Sequence, residues 1–263
     1  MKFIFNRIVV SSIGLCLLSS CKELTPPNII FIMSDDHSEQ AISAYGSKLI
    51  NTPNIDRIAK EGIRFNNSFV TNSICAPSRA VLLTGKYSHM NGLKDNGQIF
   101  DGSQETFPKI LQRAGYETSM IGKWHLKSEP TGFDYWKVLK GQGTYYNPLI
   151  VDSLGESNIT GYVTDIITDL AIEKLENRDK NKPFAMLVHH KAPHRNWMPN
   201  LKYLGTFKDR KFPLPETFYD DYSTRTAAAR ESDMRIDDMF LTWDMKLRPD
   251  DIEQETGSGG SGQ

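Results

Sequence analysis

Directly after Pro26-Pro27 the chain runs Asn28-Ile29-Ile30-Phe31-Ile32-Met33, a continuous apolar, β-branched segment with no alternation of polar residues. A strand of that kind reads as buried on both faces, the pattern of a parallel sheet covered by helices. It ends in Ser34-Asp35-Asp36-His37, so two adjacent carboxylates arrive at a strand C-terminus, the edge at which open α/β sheets bind ligands. Unit charges ~4 Å apart at an effective dielectric of ~20 repel by about 4 kcal/mol. Either the two side chains splay into water or a hard cation lies between them.

The remaining pattern fits an α/β domain. Tyr116 to Ile121 is a second strand candidate and leads into Gly122-Lys123-Trp124-His125-Leu126; Pro183 to Val188 is another buried strand and ends in His189-His190-Lys191-Ala192-Pro193-His194-Arg195. Between them, Val163, Ile166, Ile167, Leu170, Ala171 and Leu175 form the stripe of an amphipathic helix over Tyr162 to Arg178. Thr52 as N-cap, Pro53 at N1 and Gly62 at C′ frame a helix, and Phe107 to Ala114 is a shorter one closed by Gly115. Ile63 to Val70 alternates enough to be a strand leading toward Cys75. Glu129 to Thr160 reads as a loop-rich insertion whose Trp136, Tyr145 and Tyr146 either face sugar rings or cover core. The alanines near Ala227 favour a helix that continues through Met234, Ile236, Met239 and Leu241.

The first twenty residues stand apart from the fold. Lys2 and Arg7 precede the apolar stretch Ile8 to Leu18, which is short for a bilayer span and is followed by small residues, as in an export signal. Leu18-Ser19-Ser20-Cys21 resembles a bacterial lipobox, which implies cleavage before Cys21, lipid on that thiol and a membrane-anchored protein in the periplasm or at the outer membrane or cell surface. Residues 21–27 then act as tether, 28–250 as the folded part and 251–263 as a Gly/Ser-rich tail. Of the three cysteines, Cys16 leaves with the signal and Cys21 takes lipid, so Cys75 is left without a disulfide partner. A formal net charge of −1 argues against a nucleic-acid-coating surface, while leaving room for a local basic pocket.

That remaining cysteine opens Cys75-Ala76-Pro77-Ser78-Arg79-Ala80-Val81-Leu82-Leu83-Thr84-Gly85. Pro77 suits a first helical turn, Ala80 to Leu83 propagate it, and Gly85 closes it in a left-handed C′ position. Cys75 therefore sits where orphan N–H groups and the helix dipole favour an anion, with Arg79 one turn further on.

The string closely resembles C-x-P-S-R-x-x-L-x-T-G of the type I sulfatases, and Gly122-Lys123-Trp124-His125-Leu126 resembles that family's second landmark. Lys191-Ala192-Pro193-His194 resembles the third, and Arg195-Asn196-Trp197-Met198-Pro199 extends the likeness toward bacterial N-acetylglucosamine-6-sulfatases. The resemblance implies an alkaline-phosphatase-like fold with a largely parallel sheet, a maturase that oxidises Cys75 to formylglycine, and a divalent metal, usually calcium, on Asp35, Asp36 and the modified Cys75. It implies that the hydrated aldehyde attacks a sulfate ester on a glycosaminoglycan or mucin-type glycan. Arg79 steadies that hydrate, His125 bonds to it, His194 protonates the leaving sugar oxygen, Lys123 and Lys191 hold the sulfated substrate, and Trp197 either stacks on a pyranose or packs internally. Hydrolysis of phosphodiesters or phosphonates by the same chemistry, and a non-catalytic sugar-binding lipoprotein, remain as other readings.

The likeness covers only the N-terminal portion of a typical family member. Its further Asp with a paired Asn or His, its second sulfate-binding Lys and its smaller C-terminal subdomain have no convincing equivalent before Gln263; Asp237-Asp238 falls in a helical pattern and reads as surface. The expectation is a fragment with a half-built metal site and poor activity alone.

Overall fold

The computed structural model describes residues 25–233, 235 and 238–244. The export signal, Cys21, Met234, Ile236, Asp237 and the Gly/Ser tail lie outside that set. Strands β1 (Ile29–Met33), β2 (Glu117–Lys123), β3 (Tyr135–Leu139), β4 (Leu149–Asp152), β5 (Gly155–Asn158) and β6 (Phe184–His189) form one sheet in the order β1-β6-β2-β3-β4-β5. The first four in that order are parallel. The β3–β4 and β4–β5 pairs are antiparallel. The α/β class holds, and the sheet is largely parallel with an antiparallel end.

Two cores form because successive side chains of the central strands face opposite ways. Met186 and Val188 of β6 and Ile121 of β2 pack with Val163, Ile167 and Leu170 of helix α5 (Val163–Glu176). On the other face, Leu187 and Met120 pack with Ala76, Ala80 and Leu83 of α2 (Cys75–Thr84) and with Leu93, Phe100 and Leu126. The α5 stripe read from the sequence is thus the buried one. Helix α2 ends as expected, with Gly85 at φ 65° and its N–H on Val81 O at 2.8 Å. Helices α1 (Pro53–Glu61) and α4 (Phe107–Arg113) also form, with α3 (Ser88–Asn91) between α2 and α4.

Several expectations are corrected. β1 lies at the sheet edge, with Ile30 and Ile32 exposed, so it is not buried on both faces; among the described residues nothing covers that side. Ile63 to Val70 is not a strand, because no neighbouring strand supplies a ladder, and Phe65 and Phe69 are exposed. Gly62 caps α1 at φ −128°, outside the left-handed region, and Thr52 makes no backbone cap: its Oγ1 donates to Asp56 Oδ1 at 2.9 Å. The segment 129–160 is not merely loop, since it contributes β3, β4 and β5. Trp136 and Tyr145 of that segment pack on the two cores. The long helix after Tyr222 is absent among the described residues, which show only the short turns α6 (Ala227–Arg230) and α7 (Leu241–Asp244).

The strand register brings three chain segments to one place. Met33 pairs with His189, and His189 pairs with Gly122, so β1, β6 and β2 end side by side. Their continuations, Ser34-Asp35, His190-Lys191 and Lys123-Trp124-His125, therefore leave from one point. The close approach requires glycine: Gly122 has φ +101°, and a Cβ there would stand 2.0 Å from His189 O. Gly122→Ala is expected to destabilise the fold by at least about 3 kcal/mol in chemical denaturation, through backbone overlap and positive-φ strain. A loss below ~1 kcal/mol would show that the strand ends can separate without cost.

Candidate active site

Arg79 is the hub of the site. It is carried one turn into α2, 4% exposed, and its Nη1 donates to Lys123 O at 2.6 Å and to His189 Nδ1 at 3.1 Å. Its Nη2 lies 3.5 Å from Asp35 Oδ1. Burial pushes the guanidinium pKa down while Asp35 pulls it back up; an arginine nonetheless stays charged. Accepting from Arg79 leaves His189 with its proton on Nε2, and burial followed by the Arg79 charge drives its pKa down to about 3. His189 is therefore a neutral prop for Arg79.

Lys123 is fully buried and its Nζ donates to Asp35 Oδ2. Burial lowers the lysine pKa and the Asp35 charge opposes that shift. Each ion costs several kcal/mol to desolvate, so either of the pair alone would be strongly destabilising. Asp35 is held from its backbone too, its N–H donating to Ala192 O at 3.1 Å. Lys191, 4% exposed, donates from Nζ to Gln142 O at 3.2 Å and lies 5.1 Å from the Tyr145 ring centroid. Burial, then the nearby Lys123 charge, lowers its pKa to about 8.

Cys75 begins α2 with its side chain half-buried, and the residue before it, Ile74, supplies no side-chain cap. Asn96 caps the helix instead, with Ala76 N donating to Asn96 Oδ1 at 3.0 Å while Asn96 Nδ2 approaches Cys75 Sγ at 3.7 Å. Burial would raise the thiol pKa, but hydrogen bonds from His125 and His194, with the charges of Lys123 and His125, outweigh it and bring it to about 5. Cys75 is accordingly a thiolate at neutral pH in the unconverted chain.

His125 is 8% exposed at φ 53°, and its Nδ1 is buried with no hydrogen-bond partner among the described residues. His194 Nδ1 donates to Arg195 O at 2.6 Å, and its Nε2 lies 3.8 Å from Asp36 Oδ2. With Nδ1 engaged on a carbonyl, any proton His194 exchanges with a ligand moves at Nε2.

The sequence landmarks thus come together at one sheet edge: Asp35, Arg79, Lys123, Lys191, His125, His194 and Cys75 form one connected group. Trp197 stands at its margin, 46% exposed, which favours an accessible ring over a packed one. Asp36 is the outlier, with φ 58° and a side chain 66% exposed. Asn96 and His189 escaped notice as parts of the site. Asp95-Asn96-Gly97 carries only a turn signal, and nothing in His189-His190 tells which of the two supports Arg79.

A hard divalent cation does not fit the described residues by themselves. Calcium takes six to eight oxygens, whereas both Asp35 oxygens already face cationic nitrogens and Asp36 points outward. No group of three or more His, Cys, Asp or Glu among the described residues is arranged to hold a metal ion.

The family described as "Sulfatase" matches residues 27–244. An N-acetylglucosamine-6-O-sulfatase of Bacteroides thetaiotaomicron is 55% identical over 240 residues, covering 90% of this chain and 43% of the relative. A human N-acetylgalactosamine-6-sulfatase is 29% identical over 223 residues, covering 69% and 42%. Among solved structures, one described as a complex with "its substrate D-Glucosamine-2-N, 6-O-disulfate" superposes with a TM-score of 0.83 at 57% identity, covering 84% of this chain and 46% of that one. The chain therefore spans under half the length of these relatives.

Two outcomes check the site. Alkylation by iodoacetamide, followed at the peptide holding Cys75 in unconverted protein, is expected to rise with pH through an inflection near 5 and to plateau above it. His125→Ala and His194→Ala should each move the inflection upward, and an ordinary thiol inflection near ~8.5 in the wild type would overturn the electrostatics. Calorimetric titration with calcium is expected to show no tight stoichiometric site, and a Kd below ~1 μM would mean that Asp36 and further oxygens close around the ion.

Proposed function

The chain belongs to the sulfatase family, and we propose that it forms the nucleophile-bearing part of a sulfuric ester hydrolase that removes 6-O-sulfate from N-acetylglucosamine in glycosaminoglycan or mucin-type glycans. The observation that carries this reading is the gathering of Cys75, two histidines and three buried cations at one sheet edge. The sugar and position rest on the names of the relatives at 55% and 57% identity. Calcium is proposed as the metal that Asp35 and Asp36 help to hold, with the other ligands coming from outside the described residues. Export with a lipid on Cys21, and conversion by a formylglycine-generating maturase, complete the proposal.

Converted to formylglycine, Cys75 supplies a hydrated aldehyde as the nucleophile. The chain's own side chains then have separable roles. Lys123 has three N–H donors and spends one on Asp35, leaving two for sulfate oxygens. Lys191 adds a second buried charge close to it. Arg79 is committed to Lys123 O and His189, so it stiffens the floor and contributes its field. His125 presents a hydrogen-bonding nitrogen to the nucleophile. His194, held through Nδ1, delivers a proton from Nε2 to the departing sugar oxygen, a general-acid contribution of ~100- to 10,000-fold.

The test is release of free sulfate from 6-O-sulfated N-acetylglucosamine by maturase-coexpressed protein, run beside a phosphodiester and beside Cys75→Ala. Sulfate release abolished by Cys75→Ala is expected. Faster cleavage of the phosphodiester would move the protein to phosphoryl chemistry, and sugar binding unchanged by Cys75→Ala, with no formylglycine at Cys75 and no turnover of either substrate, would leave a binding protein. Binding of the sulfated sugar to Cys75→Ala should weaken as pH rises through the Lys191 pKa, which burial lowers and which moves lower still once the supporting Cys75 charge is gone. Lys191→Ala in the same background should bind more weakly at low pH, where Lys191 is charged, and lose that pH dependence.

A further inference from the structure

The segment from His194 to Pro199 holds both the proposed proton donor and Trp197, yet it has no helix or strand of its own. Its turn bonds are His194 N to Lys191 O at 3.1 Å and Trp197 N to His194 O at 3.3 Å. Three tyrosines reach it from elsewhere. Tyr145 Oη donates to His194 O, Tyr162 Oη to Met198 O at 2.9 Å, and Tyr146 Oη to Pro199 O at 2.7 Å.

The three are themselves one unit. Tyr145 and Tyr162 stack with centroids 6.1 Å apart, and Tyr146 lies 5.3 Å from Tyr162. Tyr146 and Tyr162 form an antiparallel bridge, and Val163 N donates to Tyr145 O at 2.8 Å, which ties the group to the first turn of α5. Because α5 packs on the sheet that ends at Gly122 and His189, the segment is anchored to the same rigid body as the rest of the site. Burial, first among the causes, raises the Tyr145 and Tyr162 hydroxyl pKa values, consistent with hydroxyls that stay protonated as donors.

We propose that Tyr145, Tyr146 and Tyr162 are positioning residues: a three-point clamp on the carbonyls of His194, Met198 and Pro199 that holds the His194 imidazole over Cys75. The catalytic half of this proposal rests on the sulfatase reading; the structural half does not. Arg195 with Asp244 and Asn200 with Asp165 make further ties. The tyrosine hydroxyls differ in that they fix the main chain, including that of His194 itself.

Tyrosine-to-phenylalanine variants keep the rings and remove only the donors. In amide hydrogen exchange on the whole chain, Tyr145→Phe should speed exchange across 194–199 about 5-fold and the triple variant roughly 100-fold, at ~1 kcal/mol per hydrogen bond. Exchange in α5 should not change, which shows that the fold is intact. In maturase-converted protein, Tyr145→Phe should slow turnover of the sugar sulfate, whose leaving alkoxide needs a proton. An aryl sulfate with a good leaving group should be cleaved at the wild-type rate. Unchanged exchange in the triple variant, or equal losses on both substrates, would overturn the clamp. If protein carrying formylglycine at Cys75 neither binds nor turns over the sulfated sugar, the sulfatase reading fails, and the exchange result alone decides whether the clamp exists.

Discussion

Asp35 between Lys123 and Arg79 is the contact on which the other features depend. Two cations, 0% and 4% exposed, share one carboxylate that is itself 6% exposed. Desolvation would cost several kcal/mol for each ion if it were unpaired, so the arrangement is stable only with all three in place. That requirement reaches into the backbone. Lys123 must leave β2 where Asp35 leaves β1, which happens because both strands flank β6 in register and Gly122 lets the main chains close up. A residue with a Cβ at position 122 would push apart the strand ends, and with them the charges. Arg79 then links the cluster to α2, and so to Cys75 at its N-terminus.

The parts legible in the sequence are those with local causes. The buried run in β6, the stripe on α5, and the Pro77-to-Gly85 frame of α2 each arise from residues close together in the chain. The landmark strings located Asp35, Cys75, Lys123, His125 and His194 because each comes just after a strand or opens a helix. The features that stayed hidden depended on partners distant in sequence. Apolar Ile30 and Ile32 look buried by composition, yet their exposure depends on what lies beyond a sheet edge. Ile63 to Val70 has a strand's alternation and no ladder to join. β3 to β5 were lost because their short segments are separated by Gly, Asn and Pro, which read as turns. Asn96 illustrates the same limit in the site: it caps α2 across twenty residues of chain, and nothing near it in sequence shows that it does.

The charge on Cys75 connects this architecture to its proposed chemistry. Burial opposes a thiolate, and the surrounding donors and cations win by enough to bring the pKa to about 5. The unconverted site therefore places a thiolate among Arg79, Lys123 and Lys191, where its charge opposes an incoming anion. On the proposed reading, replacing the thiolate by an uncharged aldehyde hydrate removes one negative charge from the centre of the group. At ~4 Å and an effective dielectric of ~20, one such charge is worth about 4 kcal/mol of repulsion toward an incoming sulfate. The modification would then do two things at once: supply a nucleophile and remove a charge that opposes the incoming sulfate. Lys191 sets the upper end of that attraction, because burial and the Lys123 charge lower its pKa, and losing the thiolate that partly supports it lowers it further.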